Sequence, residues 1–137
     1  MKIFFDTSIL IAFFLKQDAF HEEVIKKYTF YRHQKTTFFT SNYILDELFT
    51  WFSIKQHKHI LERIITVMQK IEKENEIKVL YIDKVIDKKA RDALLKFSDH
   101  KISFTDMTSY ILCKELQLDE VFTLDSDFKK LGIKTSF

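Results

Sequence analysis

Cysteine, glycine and proline are almost missing from this 137-residue chain, which has one cysteine, one glycine and no proline. A lone thiol, Cys113, excludes an internal disulfide and a cysteine-based zinc centre. A single glycine excludes a Walker-type phosphate loop and a dinucleotide-binding turn, since both need several glycines for close backbone approach to phosphate. Neither sign of charge dominates: 22 basic against 20 acidic side chains leave +2, so no basic tail announces nucleic acid. No apolar run has the length to span a bilayer. Lys2, Ile3-Phe4-Phe5 and Ile9 to Leu15 faintly mimic an export signal, but Asp6 interrupts the run and no small-residue cleavage site follows. The expected compartment is therefore the cytoplasm. What is abundant is phenylalanine, 15 residues of 137, within a soluble globular composition of 46% apolar and 31% charged residues. The length suits one domain over residues 1–137.

Periodicity divides the chain into alternating strands and helices. Lys2 to Phe5 is a short apolar run that suits a strand covered on both faces. Thr7 to Leu15 reads as a helix with Thr7 or Ser8 available to cap it, and Asp18 to Tyr31 as a second, with Phe20, Val24, Ile25 and Tyr28 at helical spacing. Thr36 to Thr40 is β-branched and aromatic, hence a strand. Helices are expected from Ser41 or Asn42 through Phe52, then from about His57 to Glu72 with Ile60, Ile64, Val67, Met68 and Ile71 inward. Ile77 to Ile82 is a third strand. Asp83 to Phe97 is a helix with Val85, Ile86, Ala90, Leu94 and Phe97 inward, and Thr105 to Leu116 is another. Val121 to Leu124 is a fourth strand, Lys129 to Gly132 a short helical turn, and Ile133 to Ser136 a candidate fifth strand. The alternation predicts an α/β fold, a three-layer α/β/α sandwich around a mostly parallel sheet of four or five strands. Ligands bind such sheets beyond the carboxyl ends of the strands.

Four acids stand where that rule points, though each has a plainer reading alone. Asp6 follows the first strand and Asp125 the fourth; an aspartate there also serves as a cap or turn former. Glu47 shares its helical row with Ile44 and Trp51, whereas its neighbour Asp46 lies with the polar Asn42, Thr50 and Ser53. Asp46 is thus expected to face water and Glu47 to turn inward, where a carboxylate needs a partner or a proton. No cation stands in its row, so the alternative is a partner from elsewhere in the fold. Asp106 completes Ser103-Phe104-Thr105-Asp106, a capping-box-like pattern in which it returns a hydrogen bond to the cap residue. If the four converge, each pair repels by about 4 kcal/mol at 4 Å and an effective dielectric of 20. With no histidine or cysteine cluster to suggest otherwise, the fitting counter-charge is a hard divalent cation, Mg²⁺ or Mn²⁺, which takes oxygen ligands. Such an ion can promote attack of water on a phosphodiester.

The motifs Phe5-Asp6-Thr7-Ser8, Thr40-Ser41-Asn42 with Glu47, Thr105-Asp106, and Val121-Phe122-Thr123-Leu124-Asp125-Ser126-Asp127-Phe128 resemble, in order and distribution, the PIN domain of VapC-type toxins. Ser109 and Cys113, small and at helical spacing, suit the tight helix packing of that family. The resemblance implies a Mg²⁺- or Mn²⁺-dependent endoribonuclease, the toxin of a type II pair, with RNA as substrate, a small antitoxin as partner and a homodimer as assembly. Carried over by motif, Asp6, Glu47, Asp106 and Asp125 are the catalytic, metal-binding acids, and Ser8 and Thr123 line the site as substrate-binding residues. The chain departs from the family pattern at Leu118-Asp119-Glu120, where a glycine is common before the fourth strand. Asp127 has two readings, support of the metal site or, the one favoured, a cap for the turn holding Lys129 and Lys130.

Around these acids, two basic groups have solvated-surface readings and phosphate-contact readings: His57-Lys58-His59, and Lys26, Lys27, Arg32, His33 and Lys35. Setting aside the four acids leaves 16 acidic against 22 basic side chains, a balance of +6 that suits an RNA surface around an acidic centre. Phe13, Phe14, Phe49, Trp51 and Phe52 read mainly as core. An apolar patch for a protein partner and a platform for base stacking are the other readings. Two other functions compete: a PIN-like RNA- or protein-binding module that no longer cuts, and a phosphotransfer or receiver domain built on Asp6. The second lacks the adjacent second acid at the first strand that such chemistry needs.

Overall fold

Strand β1 (Lys2–Phe5) is apolar on both faces because both are covered: Ile3, Phe4 and Phe5 are all buried. The computed structural model describes residues 1–55 and 57–137. In chain order β1 is followed by α1 (Thr7–Phe14), α2 (His21–Arg32), β2 (Thr37–Ser41), α3 (Asn42–Ile54), α4 (Lys58–Lys73), β3 (Ile77–Leu80), α5 (Lys84–Lys96), a 3-10 turn (Ser98–His100), α6 (Phe104–Glu115), β4 (Glu120–Phe122) and α7 (Asp127–Lys130). The strands form one parallel sheet in the order β3-β2-β1-β4, with Phe4 opposite Phe39 on one side and Val121 on the other. This is the expected α/β/α sandwich.

Successive side chains of a strand point to opposite faces. Phe5, Phe38 and Phe122 thus share one face, where their rings pack edge-on or tilted, Phe5 and Phe38 against Tyr28 and Phe122 against Tyr31 of α2. A smaller cluster of Ala90, Ala93, Ile102, Met107 and Leu131 joins α5 to α6. Ser109 and Cys113 are buried in α6, as their small size suggests, and burial pushes the Cys113 thiol up to about 12, leaving it inert at neutral pH. No helix among the described residues is long and apolar enough to cross a membrane.

Side chains, not periodicity, set several boundaries. Strand β3 stops at Leu80 and not Ile82, because Asn42 Oδ1 accepts the Ile82 amide at 2.9 Å and draws it from the ladder. The fifth strand reduces to one parallel bridge between Val121 and Thr135. Val67 and Val85, expected inward, are exposed, as is Phe20, and on α5 Ala93 is buried.

The departure at Glu120 has a structural answer. Glu120 is buried, and its carboxylate accepts from Tyr31, from Ser136 at 2.6 Å and from Lys134 at 3.1 Å. Burial pushes its pKa up, but these bonds outweigh burial and hold the carboxyl below its usual range. The acid thereby ties the C-terminal segment and α2 to the sheet edge. Tyr31→Phe is expected to lower stability by about 1–3 kcal/mol, the cost of leaving a buried acceptor short of a donor. The urea midpoint measures it, and an unchanged midpoint would remove Tyr31 from the tie.

Candidate active site

The strand order reverses at one place. From β1 the chain steps outward to β2 and β3, then returns past them to lay β4 on the other side of β1. In open parallel sheets this reversal leaves a crevice beyond the carboxyl ends of the two strands that meet there, β1 and β4. Asp6 and Asp125 stand there, just beyond β1 and β4. The Asp6 amide continues the ladder by donating to Phe122 O at 3.1 Å, which fixes its backbone beside β4. An open cleft of about 540 Å³ lies over the crevice, and Asp6, Glu47, Asp106 and Asp125 all line it. Four acids far apart in the sequence therefore meet in one cavity.

Each is held by a different device. Thr123 donates to Asp6 Oδ2 at 2.7 Å, and Ser8 donates to the same oxygen at 3.3 Å. The two hydroxyls also organise the loop after β4: Ser8 Oγ accepts the Leu124 amide at 3.0 Å and Thr123 Oγ1 accepts the Asp125 amide at 2.9 Å. Ser8 lines the cleft, but Thr123 is buried behind Asp6 and acts as its hydrogen-bond donor. Glu47 projects from α3 and accepts from Thr7 Oγ1 at 2.7 Å. Its partner from elsewhere in the fold is thus a hydroxyl and not a cation. Asp46 is exposed at the rim, as its polar row predicts. The hydroxyls of Thr7 and Ser8, expected as caps, are used for these contacts, and α1 begins with no side-chain cap bond.

Asp106 lies in the first turn of α6, where Ser103 Oγ accepts its amide at 3.1 Å. Its carboxylate is in the cleft, and an oxygen of it lies within 4.8 Å of oxygens of Asp125 and Asp127. Asp127 makes no cap bond. It opens α7, pairs with Lys130 at 2.8 Å, and donates its amide to Asp125 Oδ1 at 2.9 Å. Nothing local in the sequence marks the Thr7 tether, because a hydroxyl at a helix start serves equally as a cap.

The electrostatics are those of carboxylates crowded together and partly buried. Burial, then the charges of Asp6 and Asp125, push Asp106 up to about 7. Burial also raises Asp6, against hydrogen bonds from Thr123 and the Thr7 amide, and Glu47 adds to the rise. Among the described residues no ion pair reaches Asp6, Glu47, Asp106 or Asp125. The carboxylate oxygens of Asp106, Asp125 and Asp127, gathered within 4.8 Å of one another with Lys130 paired to Asp127 alone, and Asp6 and Glu47 lining the same cleft, fit a hard divalent cation. Of the basic groups, His57 approaches the cleft by stacking on Trp51, which lines it. On α2, Lys27 lies over Phe30 and Tyr31 and Arg32 over Tyr28.

Comparison with known proteins bears on the fold. A model of the PIN domain matches residues 3–134. No curated protein sequence matches the chain. Among solved structures it is similar to Mycobacterium tuberculosis VapC20, a sarcin-ricin loop cleaving toxin, with a TM-score of 0.81 at 21% identity over 96% of this chain and 95% of that one. It is also similar to VapBC2 from Rickettsia felis bound to a promoter DNA fragment, with a TM-score of 0.72 at 11% identity over 99% and 98%. VapBC-1 from nontypeable Haemophilus influenzae gives 0.68 at 15% identity over 99% and 97%.

Proposed function

Because the chain belongs to the PIN domain family, we propose that it is a metal-dependent endoribonuclease and the toxin of a type II toxin–antitoxin pair. The observation that carries this reading is the meeting of Asp6, Glu47, Asp106 and Asp125 in one cleft, none of the four held in an ion pair among the described residues. Asp6, Asp106 and Asp125 would hold Mg²⁺ or Mn²⁺, with Glu47 completing the set and Asp127 adjoining it. A bound ion of this kind supplies charge neutralisation at the phosphodiester and a more acidic water. The protein's own part is orientation. Thr123 and Ser8 fix one oxygen of Asp6, Thr7 fixes Glu47, and the Asp127 amide fixes Asp125. Held in this way, the carboxylates need no rearrangement before reaction, and an unbonded Glu47 oxygen is free to accept a proton from water. RNA as the substrate and a small antitoxin as partner accord with the names of the similar structures, VapC20 as a sarcin-ricin loop cleaving toxin and the VapBC assemblies. A homodimer belongs to the same reading.

The test is cleavage of RNA by the purified chain with Mn²⁺ or Mg²⁺, followed by sequencing of the new ends. Discrete cleavage sites that vanish with chelator are expected. Ends identical to those in a protein-free control, together with no heat of Mn²⁺ binding, would leave a binding module as the function.

A further inference from the structure

The cleft has a second wall that hydrolysis of a phosphodiester does not require. On α1 the residue one turn beyond Thr7 is Ile11, and on α3 the residue one turn beyond Glu47 is Trp51, followed by Ile54; all three line the cleft with the acids. Ile54 is 72% exposed, a large aliphatic surface left in water beside charged groups. Trp51 is half-buried, its ring edge-on to Phe52 at 4.9 Å and so fixed from beneath. Two cationic or protonatable groups attend the indole. The Lys55 ammonium lies 5.9 Å from the ring centre, and the His57 ring is parallel to the indole within 12° at 6.2 Å.

We propose that Trp51 is a substrate-binding residue of this cleft, receiving by stacking the unpaired base of a nucleotide beside the phosphate held over the acids. The proposal rests on the nuclease reading above and adds a residue to it. Positions four apart on a helix are neighbours on one face, so Glu47 and Trp51 are separated by one turn, a spacing that suits a nucleotide with its phosphate at one and its base at the other. A π-face attended by an ammonium and an imidazole suits nucleic acid, whose bases stack and whose phosphates take the Lys55 charge. The Lys55 ammonium disfavours a basic peptide. Ile54 and Ile11 extend the apolar wall over the base and sugar.

Trp51 is the only tryptophan, so indole emission reports on this one position. The experiment titrates the metal-free protein with an oligouridine carrying a 5′ dye, following anisotropy for binding and indole emission for stacking. It then measures Mn²⁺-dependent KM and kcat for wild type, Trp51→Leu and Trp51→Tyr. We expect quenching that saturates with the anisotropy change. KM should rise about 5- to 150-fold in Trp51→Leu, the range of one base–aromatic stack, with kcat much less affected and recovery in Trp51→Tyr. An oligomer whose bases are replaced by abasic ribose should bind wild type and Trp51→Leu alike. Binding without any change in indole emission, or a KM in Trp51→Leu equal to that of wild type, overturns the proposal and assigns the apolar wall to a protein partner, while metal-dependent cleavage keeps the nuclease reading intact. If neither RNA binding nor cleavage occurs, both fail together. Calorimetric Mn²⁺ binding and the melting temperature of Trp51→Leu separate loss of the stack from loss of the fold.

Discussion

Asp6→Asn is expected to reduce metal-dependent RNA cleavage by at least about 1,000-fold, equivalent to roughly 4 kcal/mol of transition-state stabilisation. The substitution keeps shape and removes one charge. The asparagine amide still offers a carbonyl oxygen to the Thr123 hydroxyl, which donates to Asp6 at 2.7 Å, and to Ser8. The backbone position is independent of the side chain, since the Asp6 amide is held by Phe122 O. The fold should therefore survive. Loss of the charge also relieves Asp106, which Asp6 pushes upward after burial has done so. The metal-free variant should melt at or above the wild-type temperature while losing the stabilisation by Mn²⁺. Asp92→Asn, on the solvent side of α5 and paired only with Lys88, serves as a control of equal charge change. Cleavage of labelled RNA and thermal melts with and without Mn²⁺ measure both halves. Wild-type cleavage by Asp6→Asn would remove the residue from the mechanism.

The acids were legible in the sequence for a simple reason. A carboxylate close after a buried strand lies at the carboxyl edge of a parallel sheet: Asp6 follows β1 directly, and Asp125 follows β4, which ends at Phe122 and not at Leu124, after two loop residues. Glu47 was separable from Asp46 because the helical row assigns them to different faces, and the structure leaves Asp46 exposed and Glu47 half-buried. What escaped depends on contacts across the chain. Thr7 meets Glu47 over 40 positions and Thr123 meets Asp6 over 117. Nothing local distinguishes a hydroxyl that caps a helix from one that tethers a distant acid. The favoured cap at Asp127 failed for a related reason: its backbone amide was claimed by Asp125 and its carboxylate by Lys130, so the side chain never turned to the helix start. The candidate fifth strand failed because Ser136 and Lys134 direct their side chains to Glu120, and only one rung of ladder forms beside Val121. The outward Val85 shows the limit of periodicity itself, since α5 packs on α6 through its small residues Ala90 and Ala93.

The largest expected effect on stability is an inversion of its pH dependence by metal. Without divalent ions, Asp106 holds its proton up to about pH 7 in the folded protein, against 3.8 for an aspartate in the open chain. Asp6 is shifted in the same direction. Asp106, raised in this way, contributes stability that is fully present below about pH 4 and is lost as pH rises through 7, because the folded state binds more protons than the unfolded one across that window. Glu120, held low by its hydrogen bonds, acts oppositely. Its contribution is present above about pH 4.5 and disappears in more acid solution. The metal-free protein should therefore be most stable near pH 4–5 and melt progressively lower toward pH 8, a limb that flattens in Asp106→Asn. Mn²⁺ should raise the melting temperature at pH 8 more than at pH 5, where a proton competes for Asp106. At 100 times its dissociation constant an ion adds about 2.7 kcal/mol, or roughly 8–12 °C for a domain of this length. Melting curves across pH 4–8, with chelator and with Mn²⁺, decide the matter. Stability that climbs from pH 5 to 8 in chelator, or an equal Mn²⁺ shift at both ends, would mean that the four carboxylates do not share their charge, and a common ion would then have nothing to hold together.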